Sequence, residues 1–75
     1  MTDLSLDSLL NLIALQLGKK RISPDDRLVA DLGAESLDLV HIAAAVEDHF
    51  GIEIPEEALV HMKTGREMYQ YLVEQ

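Results

Sequence analysis

The chain has 75 residues, 14 Asp and Glu against six Lys and Arg, a formal net charge of −8 and no cysteine. A chain this short makes one domain and buries only about 60% of the surface its unfolded form exposes, with neither a disulfide nor a zinc–thiolate site to reinforce it. The acidic balance argues against nucleic acid, whose phosphates need clustered bases. The start at Met1-Thr2-Asp3-Leu4 lacks a basic signal-peptide region and no apolar run approaches the roughly 18 residues of a membrane span, so a soluble, cytoplasmic protein is expected.

Leu6, Leu9, Leu10, Ile13 and Leu17 recur at i, i+3, i+4, i+7 and i+11, which predicts an amphipathic first helix with Ser5 as N-cap and Gly18 as stop. Leu12 and Leu15 fall opposite that stripe, either as surface leucines or as part of a contact patch. The connection from Gly18 to Glu35 exceeds the usual ceiling of about 12 to 15 residues for structureless loops and should carry internal structure. Ser23-Pro24-Asp25-Asp26 has the form of a cap followed by a proline-led turn of helix, and Leu28, Val29 and Leu32 should pin the loop to the core.

A second helix is predicted from about Leu37 to Phe50, with Leu39, Ile42, Ala43, Val46 and Phe50 buried and Gly51 as terminator. Projection at 100° per residue places Leu37, His41, Ala44 and Asp48 on its solvent side. Ile52-Glu53-Ile54 alternates like a strand but is too short and has no partner, so it reads as an extended linker. Pro55 opens a short helix through about His61, and Thr64 to Glu67 has capping-box spacing for a last helix that turns Met68, Tyr71 and Leu72 inward. The expected fold is all-α: a small four-helix bundle of three main helices and one short one, with a long first loop.

Charge is unevenly placed. Between Leu28 and Met62 stand Asp31, Glu35, Asp38, Glu47, Asp48, Glu53, Glu56 and Glu57 with no Lys or Arg, while Lys19, Lys20, Arg21 and Arg27 cluster before them. The acidic stretch is either a solvated face or a surface that steers basic partners.

The segment Asp31-Leu32-Gly33-Ala34-Glu35-Ser36-Leu37-Asp38 is a glycine turn that delivers a serine to the start of the second helix. Ser36 does not sit in a G-x-S-x-G elbow, and acids beside it offer no oxyanion stabilisation, so hydrolase chemistry is disfavoured. Serine is a good helix cap, and a helix N-terminus also favours a phosphate; capping and modification are compatible. No metal site is expected, because His41, His49 and His61 form no H-x-x-x-H pair and the acids around Asp31 miss the calcium-loop pattern.

The same eight-residue segment resembles the attachment motif of acyl carrier proteins, which commonly reads D-L-G-A-D-S-L-D and bears a 4′-phosphopantetheine arm. The stretch from Ala45 to Glu57 resembles the family's end of helix two, acidic linker and short third helix. The resemblance covers nearly the whole chain and implies a single acyl-carrier-like domain over residues 1–75, free-standing, without catalysis of its own and monomeric. It implies that a phosphopantetheinyl transferase moves the arm from coenzyme A to Ser36, that the arm's thiol holds acyl groups as thioesters, and that helix two docks onto acyl-transferring enzymes with basic patches. The implied recognition residues are Glu35, Leu37, Asp38, His41, Ala44, Glu47 and Asp48, and the small Ala43 and Ala45 suit an acyl chain lying between helices.

Glu35 stands where the family usually has aspartate, which moves the charge by one methylene and bears on the choice of transferase. His41 replaces a glutamate common in fatty-acid carriers, and Ala44 a larger apolar residue. The flatter, less acidic face predicts weak coupling to general fatty-acid synthesis enzymes and service in a dedicated fatty-acid, polyketide or lipid pathway. An unmodified carrier-fold adaptor and an aminoacyl carrier are the alternative readings.

Overall fold

The computed structural model describes residues 4–75; the chain start at Met1, Thr2 and Asp3 lies outside the described residues. Four helices follow one another: α1 (Leu6–Gln16), α2 (Ser36–Phe50), α3 (Glu56–Leu59) and α4 (Gly65–Val73), with α1 packed against both α2 and α4. This is the expected bundle of three main helices and one short one. The α1 start is closed reciprocally, the Ser8 amide donating to Ser5 Oγ at 3.1 Å and the Ser5 amide to Ser8 Oγ at 3.0 Å.

Leu12 is corrected by the structure. It is buried together with Leu9, Leu10, Ile13 and Ala14, an arc of about 200° at 100° per residue. A helix sandwiched between two others is covered on two sides, so its apolar arc is wider than the single stripe a surface helix needs. Leu15 faces away from this arc and is 72% exposed. In the centre of the bundle Leu9, Ile13, Leu28, Ile42, Val46, Met68 and Leu72 are all but sealed from solvent, each contributing roughly 1.5–3 kcal/mol by burial.

The long loop is ordered differently from expectation. Ser23–Asp26 forms a turn closed by the Asp26 carboxylate on the Ser23 amide at 2.8 Å, not a helical turn. The Pro24 carbonyl that would propagate a helix accepts instead from the Arg66 amide at 3.0 Å, and Asp25 takes both ends of the Arg66 guanidinium at 2.8 and 3.2 Å. Helical bonds appear further on, from Asp31 to Arg27 at 2.9 Å and from Gly33 to Val29 at 3.1 Å. Of the three expected pins, Leu28 is buried and Leu32 half-buried, but Val29 is 58% exposed; Ile22 and Ala34 are buried in its place. The loop is tied to the start of α4, where the Leu28 amide donates to the Lys63 carbonyl at 2.8 Å.

The remaining elements follow the sequence with small shifts. The Ile52–Ile54 linker carries neither helix nor strand and Ile54 is buried. Pro55 occupies the N-cap of α3 rather than its first turn, and α3 ends at Leu59 because tight bonds from His61 to Ala58 and from Met62 to Leu59 turn the chain inward onto buried Met62. At α4 Thr64 Oγ1 accepts from the Glu67 amide at 3.1 Å, while Glu67 Oε1 reaches one residue further back, to the Lys63 amide at 2.6 Å. Met68 and Leu72 are buried as expected, and Tyr71 is half-buried.

Candidate functional site

Residues 28–38 build the site. The Ala34 amide returns to the Leu28 carbonyl at 2.8 Å, enclosing a bond from the Gly33 amide to the Val29 carbonyl, and a chain that folds back this tightly is eased by a left-handed residue at the bend. Gly33, at φ +73°, supplies it. With Leu28 anchored in the core and Ala34 buried, the chain leaves the turn in a fixed direction.

Glu35 then adopts the extended N-cap conformation at φ −99° and ψ 170°, so Ser36 is the first helical residue, one position inside the cap that its residue type suggested. The cap is closed by Asp38, whose Oδ2 accepts from the Glu35 amide at 2.9 Å. The first backbone bond of α2 runs from the Leu39 amide to the Glu35 carbonyl at 3.1 Å, so the Ser36 and Leu37 amides lie ahead of the first helical bond. Ser36 is exposed, and its hydroxyl makes no hydrogen bond among the described residues. That is a poor arrangement for a self-activated nucleophile, which needs a base within reach. It is a good one for a phosphate, which the helix start and its amides favour.

The solvent face of α2 carries Leu37, His41, Ala44, Glu47 and Asp48, all exposed, with Leu37 63% accessible. Asp38 is half-buried and engaged with the cap. Asp31 is likewise engaged: it holds the Arg27 guanidinium at 3.0 and 3.1 Å and the Arg27 amide at 2.8 Å. The Arg27 side chain, then its backbone amide, hold the Asp31 carboxyl below the usual carboxylate range.

Two grooves open beside this face. The first, of about 340 Å³, is lined by Leu39, Leu28, Val29, Ala30 and Arg27 on one side and by Leu59, Val60, Met62 and Lys63 on the other. The second, of about 300 Å³, is lined by Val40, Ala43, Ile54, Glu56 and Leu59. Leu39 and Val40 therefore each begin a groove, three and four residues on from Ser36 and so one helical turn away from it. Ala43 lines the second groove; Ala45 lines neither. The incomplete burial of Leu39 and Ala43 follows from these openings.

Val40, 50% exposed, is a site residue on α2 that sequence reasoning missed, as it missed Val60 and Lys63 across the first groove. The signal for Val40 was present in the spacing, since it follows Leu37 by three and Ser36 by four and must share their side of the helix.

A fold that presents an unengaged serine at a helix start, with apolar grooves one turn away, is that of a carrier. The family model for the phosphopantetheine attachment site matches residues 3–72. The chain is 41% identical over 66 residues to an acyl carrier protein of Syntrophobacter fumaroxidans, covering 85% of this chain and 82% of that one. It is 36% identical over 58 residues to an acyl carrier protein of Helicobacter hepaticus, covering 77% and 76%. Among solved structures, an acyl carrier protein from Mycobacterium tuberculosis superposes with a TM-score of 0.84 at 28% identity over 92% of this chain and 95% of that one. The chain belongs to the phosphopantetheine attachment family and is an acyl carrier protein. Its prosthetic group is a covalently attached 4′-phosphopantetheine, and members of this kind are carriers rather than catalysts.

Proposed function

We propose that Ser36 is the attachment residue and that the protein holds acyl intermediates for a dedicated fatty-acid, polyketide or lipid pathway. The observation that carries this reading is the Ser36 hydroxyl, exposed and without a hydrogen-bond partner among the described residues, at the start of a 15-residue helix whose cap is closed by its neighbours. When bound, the phosphopantetheine supplies the thiol on which an acyl group rides as a thioester. The part played by the chain is positional. Gly33 and Leu28 set the direction of the turn, Asp38 holds Glu35, and Ser36 is left free for the enzyme that modifies it.

No side chain beside Ser36 removes its proton, so a phosphopantetheinyl transferase has to provide the base. In that step Ser36 Oγ bonds to the phosphorus of coenzyme A that bears the pantetheine, its proton passes to the transferase, and adenosine 3′,5′-bisphosphate leaves. Catalysis then belongs to the partners. Leu37 and Val40 offer apolar contacts and Glu35, Glu47 and Asp48 charges for Arg or Lys patches, with His41 and Ala44 making the face flatter and less acidic. That face supports a dedicated set of partner enzymes over the general fatty-acid synthesis machinery. A cytoplasmic monomer is part of this reading; the cysteine-free composition is compatible with a reducing compartment, and among the described residues no helix is long and apolar enough to cross a membrane.

The test is intact mass after incubation with coenzyme A and a permissive transferase. The parent protein should gain one phosphopantetheine and Ser36→Ala none. An unchanged parent mass would replace the carrier reading with that of an unmodified adaptor.

A further inference from the structure

We propose that the groove beside Leu28 takes acyl chains whose far end bears a carboxylate, recognised by the Lys63 ammonium; this rests on the carrier reading above and names the cargo it fits. Between Leu28 and Met62 the chain has no Lys or Arg, and the bases that flank this stretch on either side are Arg27 and Lys63. The fold brings the two together. The Leu28 amide donates to the Lys63 carbonyl at 2.8 Å and Arg27 pairs antiparallel with Thr64, so both bases line one apolar groove of about 340 Å³.

The two cations are not equivalent. Arg27 is held by Asp31 through two side-chain bonds, whereas the Lys63 side chain is exposed and makes no ion pair among the described residues. None of the nine residues lining this groove is acidic, although the protein carries a net charge of −8. The neighbouring groove shares Leu59 but has Glu56 in its wall, which repels a carboxylate. Charge thus distinguishes two otherwise similar openings, each beginning one turn from Ser36. The volume is at the lower end of the range for ligand pockets, which suits a chain of medium length.

Two coenzyme A thioesters of equal length test this: octanoyl and the eight-carbon α,ω-dicarboxylic half-thioester, each transferred to Ser36 and verified by mass. The carboxyl-ended chain should raise the thermal midpoint by about 2 to 5 °C more than octanoyl. The difference should shrink in high salt, disappear in Lys63→Gln and persist in Lys63→Arg, and the Leu28 and Lys63 amide resonances should shift with the carboxyl-ended chain. Equal midpoints for the two chains, or a preference unaltered in Lys63→Gln, overturns the carboxylate recognition while the mass gain leaves the carrier reading standing. Failure of any mass gain at Ser36 overturns both.

Discussion

The Asp38 carboxylate, two residues beyond Ser36, accepts a 2.9 Å hydrogen bond from the Glu35 amide and so closes the helix start on which Ser36 sits. An acid that would otherwise be free for a partner is committed to local structure. Asp38→Ala should therefore cost about 1 kcal/mol, the usual loss for a removed cap, and lower the midpoint of thermal denaturation by about 4 to 8 °C. Asp38→Asn keeps an acceptor and should melt close to the parent. A circular-dichroism melt of the three proteins decides it, and an Asp38→Ala curve lying on the parent's would show that the bond contributes nothing.

Gly33 makes a separate contribution. At φ +73° with no atom within 4 Å of where a Cβ would stand, the penalty for a side chain is one of backbone conformation alone. Gly33→Ala should destabilise by about 1–2 kcal/mol, and Gly33→Asn by less, because asparagine visits the left-handed region more readily. The rate of phosphopantetheine transfer to Ser36, followed by mass, should fall in the same order.

Leu12 and Leu15 separate the two sides of α1. Leu12→Ala opens a cavity in a packed core and should cost about 2–5 kcal/mol, while Leu15→Ala, at a site 72% exposed, should stay within about 0.5 kcal/mol. Urea denaturation of both variants tests whether α1 is covered on two faces, and similar midpoints for the two would contradict that.

Two loop carboxylates make the fold acid-sensitive. The Arg66 guanidinium lowers the Asp25 pKa and Arg27 lowers that of Asp31, both from an unfolded value near 3.8. Because the folded pKa is depressed, the stabilisation is fully present above 3.8 and is lost as pH falls through the lower folded values. Denaturation midpoints should be flat in this respect from pH 7 to 5 and should decline below pH 4. In the double variant Asp25→Asn, Asp31→Asn that part of the decline should vanish. Both groups are solvent-exposed, so the effect is small and salt-sensitive.

His41→Glu should strengthen coupling to a general fatty-acid ketosynthase, read as a rise in kcat/KM of the loaded protein that shrinks with added salt. The substitution is on an exposed position and should leave the melting temperature nearly unchanged. A parent protein already turned over at the rate of a standard carrier would remove the case for a dedicated pathway.

Much of this was legible in the residues in order. Ser5, Gly33, Gly51 and Thr64 act on backbone within a few positions, so caps, stops and the start of α2 could be located from local chemistry. The exposed face of α2 followed from helical projection because a helix with one covered side obeys a single period. Val40 was recoverable by the same projection.

Other features depended on distant partners. That Leu12 is buried and Val29 exposed is decided by what covers α1 and by how the loop crosses the bundle. The Arg66–Asp25 pair spans 41 residues, and beside it the Arg66 amide takes the Pro24 carbonyl that a helix would have used. By itself the sequence determined four helical segments, their order and the serine at the head of the second, since hydrogen-bonded turns and apolar periods are short-range. Only the tertiary structure decided which flanks of those helices lie beside open grooves and that Arg27 and Lys63 share one of them, because such meetings arise from chain closure across more than thirty residues, where no local period operates.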